Sequence, residues 1–348
     1  MGILNIFMYH RILPEPSADG VCVATFARQL DLIRQRYEVL NGDDLLAVLD
    51  GRRCLARPGA ALTFDDGWLD NWAIATPVLK EKGVPAILAL SSGYLHDGPV
   101  RSAQDHEAAT MRCDVACDHA LNQGDNQAFL SRAELGAMVA SGVWTVEAHG
   151  HTHARSYYRV DLRHGLYPAS TDWTLTHALG GACPFPGVPV GELVSDLACP
   201  RRVLNPQLLE RLRLGGNAAA LLAEFADPVV AAESVAEYCE RLRLDLQRCR
   251  QAITDITGRE PKLLFWPWGE YSDAGLAVAR DVGFRHTLST EKGMVRVPSD
   301  AFVLPRIGVG EKWGRFRRNL TVFACPTCVT LHGWLSPSPS GRRGAIGS

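Results

Sequence analysis

The sequence predicts an α/β protein built on parallel strands, and two observations carry that expectation. Along the 348 residues, short apolar runs alternate with segments whose apolar residues recur every three or four positions. That is the pattern of strands joined by crossover helices. The polar residues fall at the C-terminal ends of the apolar runs: His10, then Asp65 and Asp66, then His149, then Trp266 to Gly269. Parallel barrels build their sites at those ends. Six to eight strands of this kind fit an open or closed barrel.

The elements follow in order. Ile3 to Tyr9 reads as a buried strand, and Phe26 to Tyr37 has helical spacing. Gly59 to Phe64 is a strand that ends in Asp65-Asp66-Gly67. Asn71 to Lys82 is helical, disturbed by Pro77. Pro85 to Leu90 is a strand, Leu130 to Ser141 a short helix, and Val143 to Ala148 a strand that runs into histidines. Glu233 to Thr257 is the clearest helix, ended by Gly258. Lys262 to Trp266 is a strand and Ala274 to Val282 a helix; Phe284 to Ser289 and Phe302 to Ile307 are the last strands. Glu270, Tyr271 and Asp273 are expected to open the 274–282 helix, where acids suit the dipole.

The stretches 91–127 and 157–232 break the alternation and read as insertions over the strand ends, the second with helices at Pro206 to Leu214 and Asn217 to Phe225. Residues 1–335 are expected to form one domain. Ser336 to Ser348, made of Ser, Pro, Gly, Arg, Ala and Ile, is expected to be a disordered tail.

Charge and hydropathy exclude several classes. Lys plus Arg number 36 against 38 Asp plus Glu, so the chain lacks the basic field of a nucleic-acid binder. No apolar run is long enough to span a bilayer. Met1 to Arg11 lacks the features of a signal peptide, so a cytoplasmic location is expected. Among ten cysteines, the pairs Cys113/Cys117 and Cys325/Cys328 stand close in sequence. They read as loop cysteines rather than as a four-thiolate zinc site. Lys312, Arg315, Arg317 and Arg318 form a small basic run, read as a solvated helix face.

Three motifs bear chemistry. In Thr63-Phe64-Asp65-Asp66-Gly67, adjacent carboxylates close an apolar strand, which is costly unless a cation or hydrogen bonds hold them. A turn at Gly67 can aim both at one cavity. One carboxylate can then ligate a cation while the other acts as a base on water. In Glu147-Ala148-His149-Gly150-His151-Thr152-His153, three imidazoles in five residues offer metal nitrogens. A coiled segment would put His149 and His153 on one face with His151 turned away, and an extended one would align all three. In Phe265-Trp266-Pro267-Trp268-Gly269-Glu270-Tyr271, aromatics with Pro and Gly can wall a pocket against a sugar face or an acyl methyl. Core packing is the plainer reading of that motif.

Together these motifs, in this order, resemble the polysaccharide deacetylase family, the NodB-homology carbohydrate esterases. Met8-Tyr9-His10-Arg11 and Leu304-Pro305-Arg306-Ile307 are similar to the branch that contains poly-N-acetylglucosamine deacetylases. The resemblance covers roughly residues 3 to 310. It implies a distorted (β/α) barrel of about seven parallel strands and one divalent metal, zinc first, with cobalt or nickel as alternatives. It implies Asp66, His149 and His153 as metal ligands and Asp65 as general base. It further implies an N-acetylated glycan or glycan precursor as substrate, with Trp266, Pro267, Trp268, Gly269 and Tyr271 as substrate contacts. The family's late histidine acid has no counterpart here. His10 and His286 are the candidates for the acid, with His151 as a third that could also enter the ligand set. The arginine that often precedes the third motif is replaced by aromatics at 265 and 266, and Trp268 stands in place of a tyrosine. The competing readings are a deformylase or other amide hydrolase on the same fold, and a non-catalytic carbohydrate-binding protein. A structural metal protein fits poorly, because the implied site keeps an open position.

Overall fold

Ten strands hydrogen-bond into one sheet. In chain order they are Gly2–Tyr9 (β1), Glu38–Leu40 (β2), Gly59–Asp66 (β3), Ala86–Leu90 (β4), Trp144–Ala148 (β5), Leu263–Phe265 (β6), His286–Leu288 (β7), Val295–Val297 (β8), Val303–Leu304 (β9) and Ile307–Gly308 (β10). The structure is a computed structural model and describes residues 2–102, 106–170, 172 and 174–324. The Cys325/Cys328 pair and the Ser336 to Ser348 tail lie outside the described residues.

The sheet runs β1-β3-β4-β5-β6-β7-β9 in parallel pairs. Its two ends then approach each other. β9 pairs with β7, and β10, two residues further along, pairs with β1 through Phe7↔Ile307 and Met8↔Gly308. The stretch 303–308 thus bridges the opening, and the parallel sheet is nearly closed into a barrel. A single strand over 302–307 was expected, but it is interrupted at Pro305-Arg306. Proline has no N–H for the ladder, and the Arg306 N–H donates to Glu291 O instead. The short strands β2 and β8 flank β3 and β1.

Period-two alternation sorts the strand residues. Leu4, Ile6, Ala61, Ile87, Ala89, Leu263, Phe265, Leu288 and Leu304 belong to one apolar cluster, which the helix Gly42–Leu49 joins with Leu45, Leu46, Val48 and Leu49. Phe7, Tyr9, Leu62, Phe64, Leu88, Val146 and Leu264 belong to a second cluster on the opposite face. There they pack against the helices Val23–Arg36 (α1), Arg132–Ala140 (α2), Val235–Thr257 (α3) and Asp273–Val282 (α4). α3 buries Tyr238, Leu242, Leu246, Cys249 and Ile253 along one stripe, starts on a Ser234/Glu237 capping box and stops at Gly258, whose φ is 68°.

The Asn71 to Lys82 segment is helical but opens with a π-turn over Asn71–Ala75 before Thr76–Lys82. α4 begins at Asp273, with Ser272 accepting from Gly275 N. Glu270 and Tyr271 therefore do not open the helix, contrary to expectation. Glu270 instead accepts a hydrogen bond from Ser195 N, and Tyr271 stacks on Trp266. The 157–232 stretch contains its own apolar cluster, with Leu175, Val188, Leu193, Leu204, Leu208 and Leu221. Its two expected helices form at Pro206–Arg213 and Ala218–Glu224.

One buried ion pair fixes the entry to the strand-end face. Arg11 Nε donates to Asp70 Oδ2 at 2.8 Å, and both side chains are almost fully buried. The guanidinium also donates to the Ala109 and Met111 carbonyls, while Asp70 Oδ1 accepts from Ile12 N. The pair ties the end of β1 to the 106–111 segment. Asp70→Ala would leave a buried, uncompensated arginine. A loss of about 3–5 kcal/mol is expected, read as a lowered denaturation midpoint with unchanged slope.

Candidate active site

The strand register builds the site. Thr63 and Asp65 follow Ala61 on the inward face of β3, and Arg306 follows Leu304. At the C-terminal ends of the strands, Asp65 and Arg306 therefore meet inside the barrel. Arg306 Nη1 donates to Asp65 Oδ1 at 2.7 Å, and both side chains are buried. Phe265 lies under the guanidinium, with its ring centre 5.0 Å from Arg306 Cζ. A guanidinium thus reaches Asp65 from the break between β9 and β10 rather than from the 265–271 motif.

Asp66 would point outward by strict alternation. Its φ of 78° turns it back, and Gly67 follows at φ 96°. Asp66 and Trp268 (φ 61°) are the non-glycine residues with positive φ among the described residues. Both line the same cavity. Left-handed backbone costs roughly 1–3 kcal/mol at such residues, so the surrounding packing must hold it in place.

His149 and His153 converge on Asp66. Each Nε2 lies 3.3 Å from Asp66 Oδ1. The chain coils after β5 at Gly150 (φ 82°), so the two imidazoles share one side and His151 turns away. His151 Nδ1 pairs with Ser92 Oγ at 2.9 Å. Asp245 of α3 holds the coil by accepting from His151 N, Thr152 N and Thr152 Oγ1. His149 Nδ1 lies 2.8 Å from Phe265 O. A carbonyl can only accept, so Nδ1 carries the proton and Nε2 presents its lone pair toward Asp66. Trp68 Nε1 donates to Asp66 Oδ2 at 2.9 Å.

The electrostatics agree with this geometry. Burial pushes both carboxyls upward, but the groups around them outweigh it. For Asp65 the chief partner is Arg306, then His149 and His10; for Asp66 it is His153, then His149 and His10. Both carboxylates therefore stay ionised, below the usual range. Burial takes His153 down to about 3, although Asp66 opposes the shift, so its imidazole is neutral at neutral pH.

The donor set fits a divalent cation. Asp66 Oδ1 is buried and makes no hydrogen bond within the protein. Two imidazole nitrogens face it, and the three ligand atoms lie within 4.8 Å of one another. An ionised oxygen in this position is costly unless a positive charge sits between it and the nitrogens.

These groups line a cavity of about 280 Å³ with His10, Tyr94, Phe129, Trp268 and Gly269. Of the third motif, Trp268 and Gly269 reach the cavity. Trp266 is fully buried in the core, and Pro267 and Tyr271 are buried beside it, so these three stand outside the cavity lining. An aromatic wall does exist, but other residues form much of it. Trp68 stacks on Phe129 at 4.5 Å, and Phe129 on Tyr94 at 4.2 Å. Trp68 directly follows the Asp-Asp-Gly turn, which was the available signal; Tyr94 and Phe129 had none. Trp268 packs on His153, with Arg155 over its ring.

Of the acid candidates, only His10 is brought to the site. Its Nε2 lies 3.9 Å from Asp65 Oδ2 and its side chain is half-exposed. His286 opens β7 at the opposite end of the barrel, with Nδ1 on Ala301 O. Its place at the start of the strand puts it outside the cavity lining.

Comparison with known proteins agrees with this architecture. The polysaccharide deacetylase family model matches residues 52–191 and 232–287, more than half of the chain. The chain belongs to the polysaccharide deacetylase family, a class of hydrolases. Asp65, Asp66, His149 and His153 lie inside the matched residues, while His10 and Arg306 lie outside them. Among solved structures, IcaB from Ammonifex degensii superposes with a TM-score of 0.57 at 19% identity, over 93% of this chain and 97% of that one. A de-N-acetylase from Aggregatibacter actinomycetemcomitans gives 0.61 at 16%, over 91% and 99%. The deacetylase domain of BpsB from Bordetella bronchiseptica gives 0.56 at 19%, over 89% and 97%. These likenesses show a shared barrel fold. No curated protein matches the chain. No helix among the described residues is long and apolar enough to cross a membrane.

Asp245 supports the two imidazoles without facing the cation site. Asp245→Ala is expected to weaken Zn²⁺ affinity about 10- to 100-fold, measured by competition with a chromogenic chelator.

Proposed function

We propose that this protein is a metal-dependent N-deacetylase that removes acetyl groups from N-acetylhexosamine units of a glycan or glycan precursor. The observation that carries the reading is the pairing of two aspartates with opposite tasks. Asp66 offers an unpartnered buried oxygen to two imidazole nitrogens, while Asp65 beside it is held ionised by Arg306 and left out of that set. A binding protein has no need of the second carboxylate.

Asp66, His149 and His153 would hold the cation, zinc in the first instance. When bound, it supplies Lewis acidity toward water and an amide carbonyl. The remaining work falls to the protein's own side chains. Arg306 occupies Asp65 Oδ1, so Oδ2 is the oxygen free to take a proton from the attacking water. His10, whose Nε2 lies 3.9 Å from that oxygen, would return a proton to the departing amine. Trp68, Phe129, Tyr94 and Trp268 enclose the acetyl group and exclude bulk water.

The test is acetate release from N-acetylglucosamine oligomers by metal-stripped protein, with and without Zn²⁺. Release should require the metal and should fall about 10²–10⁴-fold in Asp65→Asn. One metal bound per chain without acetate release would redirect the reading to another amide. Arg306→Gln should cut kcat by a similar factor of roughly 10²–10⁴ while zinc stoichiometry stays at one per chain. A variant that keeps wild-type kcat would remove Arg306 from the mechanism.

A further inference from the structure

Beside the catalytic cavity lies a second cleft of about 490 Å³. The two share His10, Arg11, Ala18 and Asp19, so one opens into the other. The second cleft is walled by Lys292, Lys312 and Arg315, all exposed. Among the described residues, none of these three cations has a carboxylate within ion-pair distance. The carboxylates that reach the cleft are otherwise engaged. Glu311 accepts from Cys22 N and Thr25 Oγ1, and Asp19 accepts from Cys113 N.

Two further observations point to a ligand there. Asn319 lines the cleft, is 6% exposed, and its side chain makes no hydrogen bond among the described residues. Its amide is therefore committed to nothing within the protein. The cations also repel one another: partial burial first, then Arg315 and Arg318, hold the Lys292 ammonium below its ordinary pKa. Like charges gathered around a concave surface focus a positive potential, which an anion entering the cleft relieves.

We propose that this cleft binds an anionic group, a phosphate or a carboxylate, on the unit adjoining the N-acetylated sugar. Lys292, Lys312 and Arg315 supply the charge, and Asn319 supplies a hydrogen bond. The position of that unit rests on the deacetylase reading; the anion site itself does not. The substrate is then a charged glycan or a phosphate-linked precursor, and a neutral homopolymer is the poorer ligand.

The experiment is calorimetric titration of the full chain with three probes. An N-acetylglucosamine tetramer is neutral, a hyaluronan tetrasaccharide carries carboxylates, and UDP-N-acetylglucosamine carries phosphates. At low salt, at least one anionic probe should bind about tenfold tighter than the tetramer, and the probe that gains identifies the source of the charge. The advantage should vanish in molar salt, where the screening length is about 3 Å, and in the double variant K292Q/R315Q. Equal affinities for all three probes, or an advantage that survives in K292Q/R315Q, would overturn the proposal. Acetate release from all three probes, followed in parallel, keeps the two ideas apart. Release that is equal in both proteins with no anion advantage removes the cleft and keeps the deacetylase. An advantage lost in the variant, with no release from any probe in either protein, keeps the cleft and removes the deacetylase.

Discussion

Two neighbouring carboxylates must stay ionised inside a barrel, and much of the local structure follows from that constraint. Each needs its own source of positive charge, because a single source would leave the other buried and uncompensated. Arg306 serves Asp65 from the 303–308 stretch beyond β1, while Asp66 faces the imidazoles of His149 and His153 in a donor set that fits a cation. The partners are separated because the backbone at Asp66 twists into the left-handed region and sends the two side chains to different parts of one cavity. The strain at Asp66 is thus the local cost of giving adjacent residues different partners.

The supporting shell shows how that cost is held. Trp68 grips the outer oxygen of Asp66, Phe265 O orients His149, and Asp245 holds the coil between the two histidines. These contacts come from the turn after β3, from β6 and from α3, so three separate elements must be in place before the site is formed. Trp268, the other residue with left-handed backbone, is pinned between His153 and Arg155. The 157–232 stretch reaches the same region through Glu270, which accepts from Ser195.

The long elements and the first-rank site residues were legible because their signals are local. Gly59 to Phe64 and Glu233 to Thr257 announce themselves by period and by caps, and Asp65, Asp66, His149 and His153 by spacing. What was missed is either short or depends on distant contacts. The helix Gly42–Leu49 is only eight residues, although Asn41 caps it and Asp43 and Asp44 follow. Arg306 was visible in a motif, but its partner lies 241 positions away, and no local pattern reports such a pairing. Aromatic identity alone could not separate Trp266, which packs the core, from Trp268, which faces the cavity; one positive φ decides it. His286 looked plausible because it is a histidine near a late strand. Its position at the start of the strand rather than the end puts it out of reach.

The broken strand at 303–308 ties chemistry to the order of synthesis. Its last residues pair with the first strand of the chain across some three hundred positions, and its middle carries the guanidinium that keeps Asp65 charged. A ribosome that has made β1 through β7 has produced nearly all of the cavity, yet burial without that arginine favours a protonated, inert Asp65. Long-range closure of this kind is slow to form. On the proposed reading the nascent chain would be chemically silent until its final stave docks, and completing the barrel would be the step that charges Asp65.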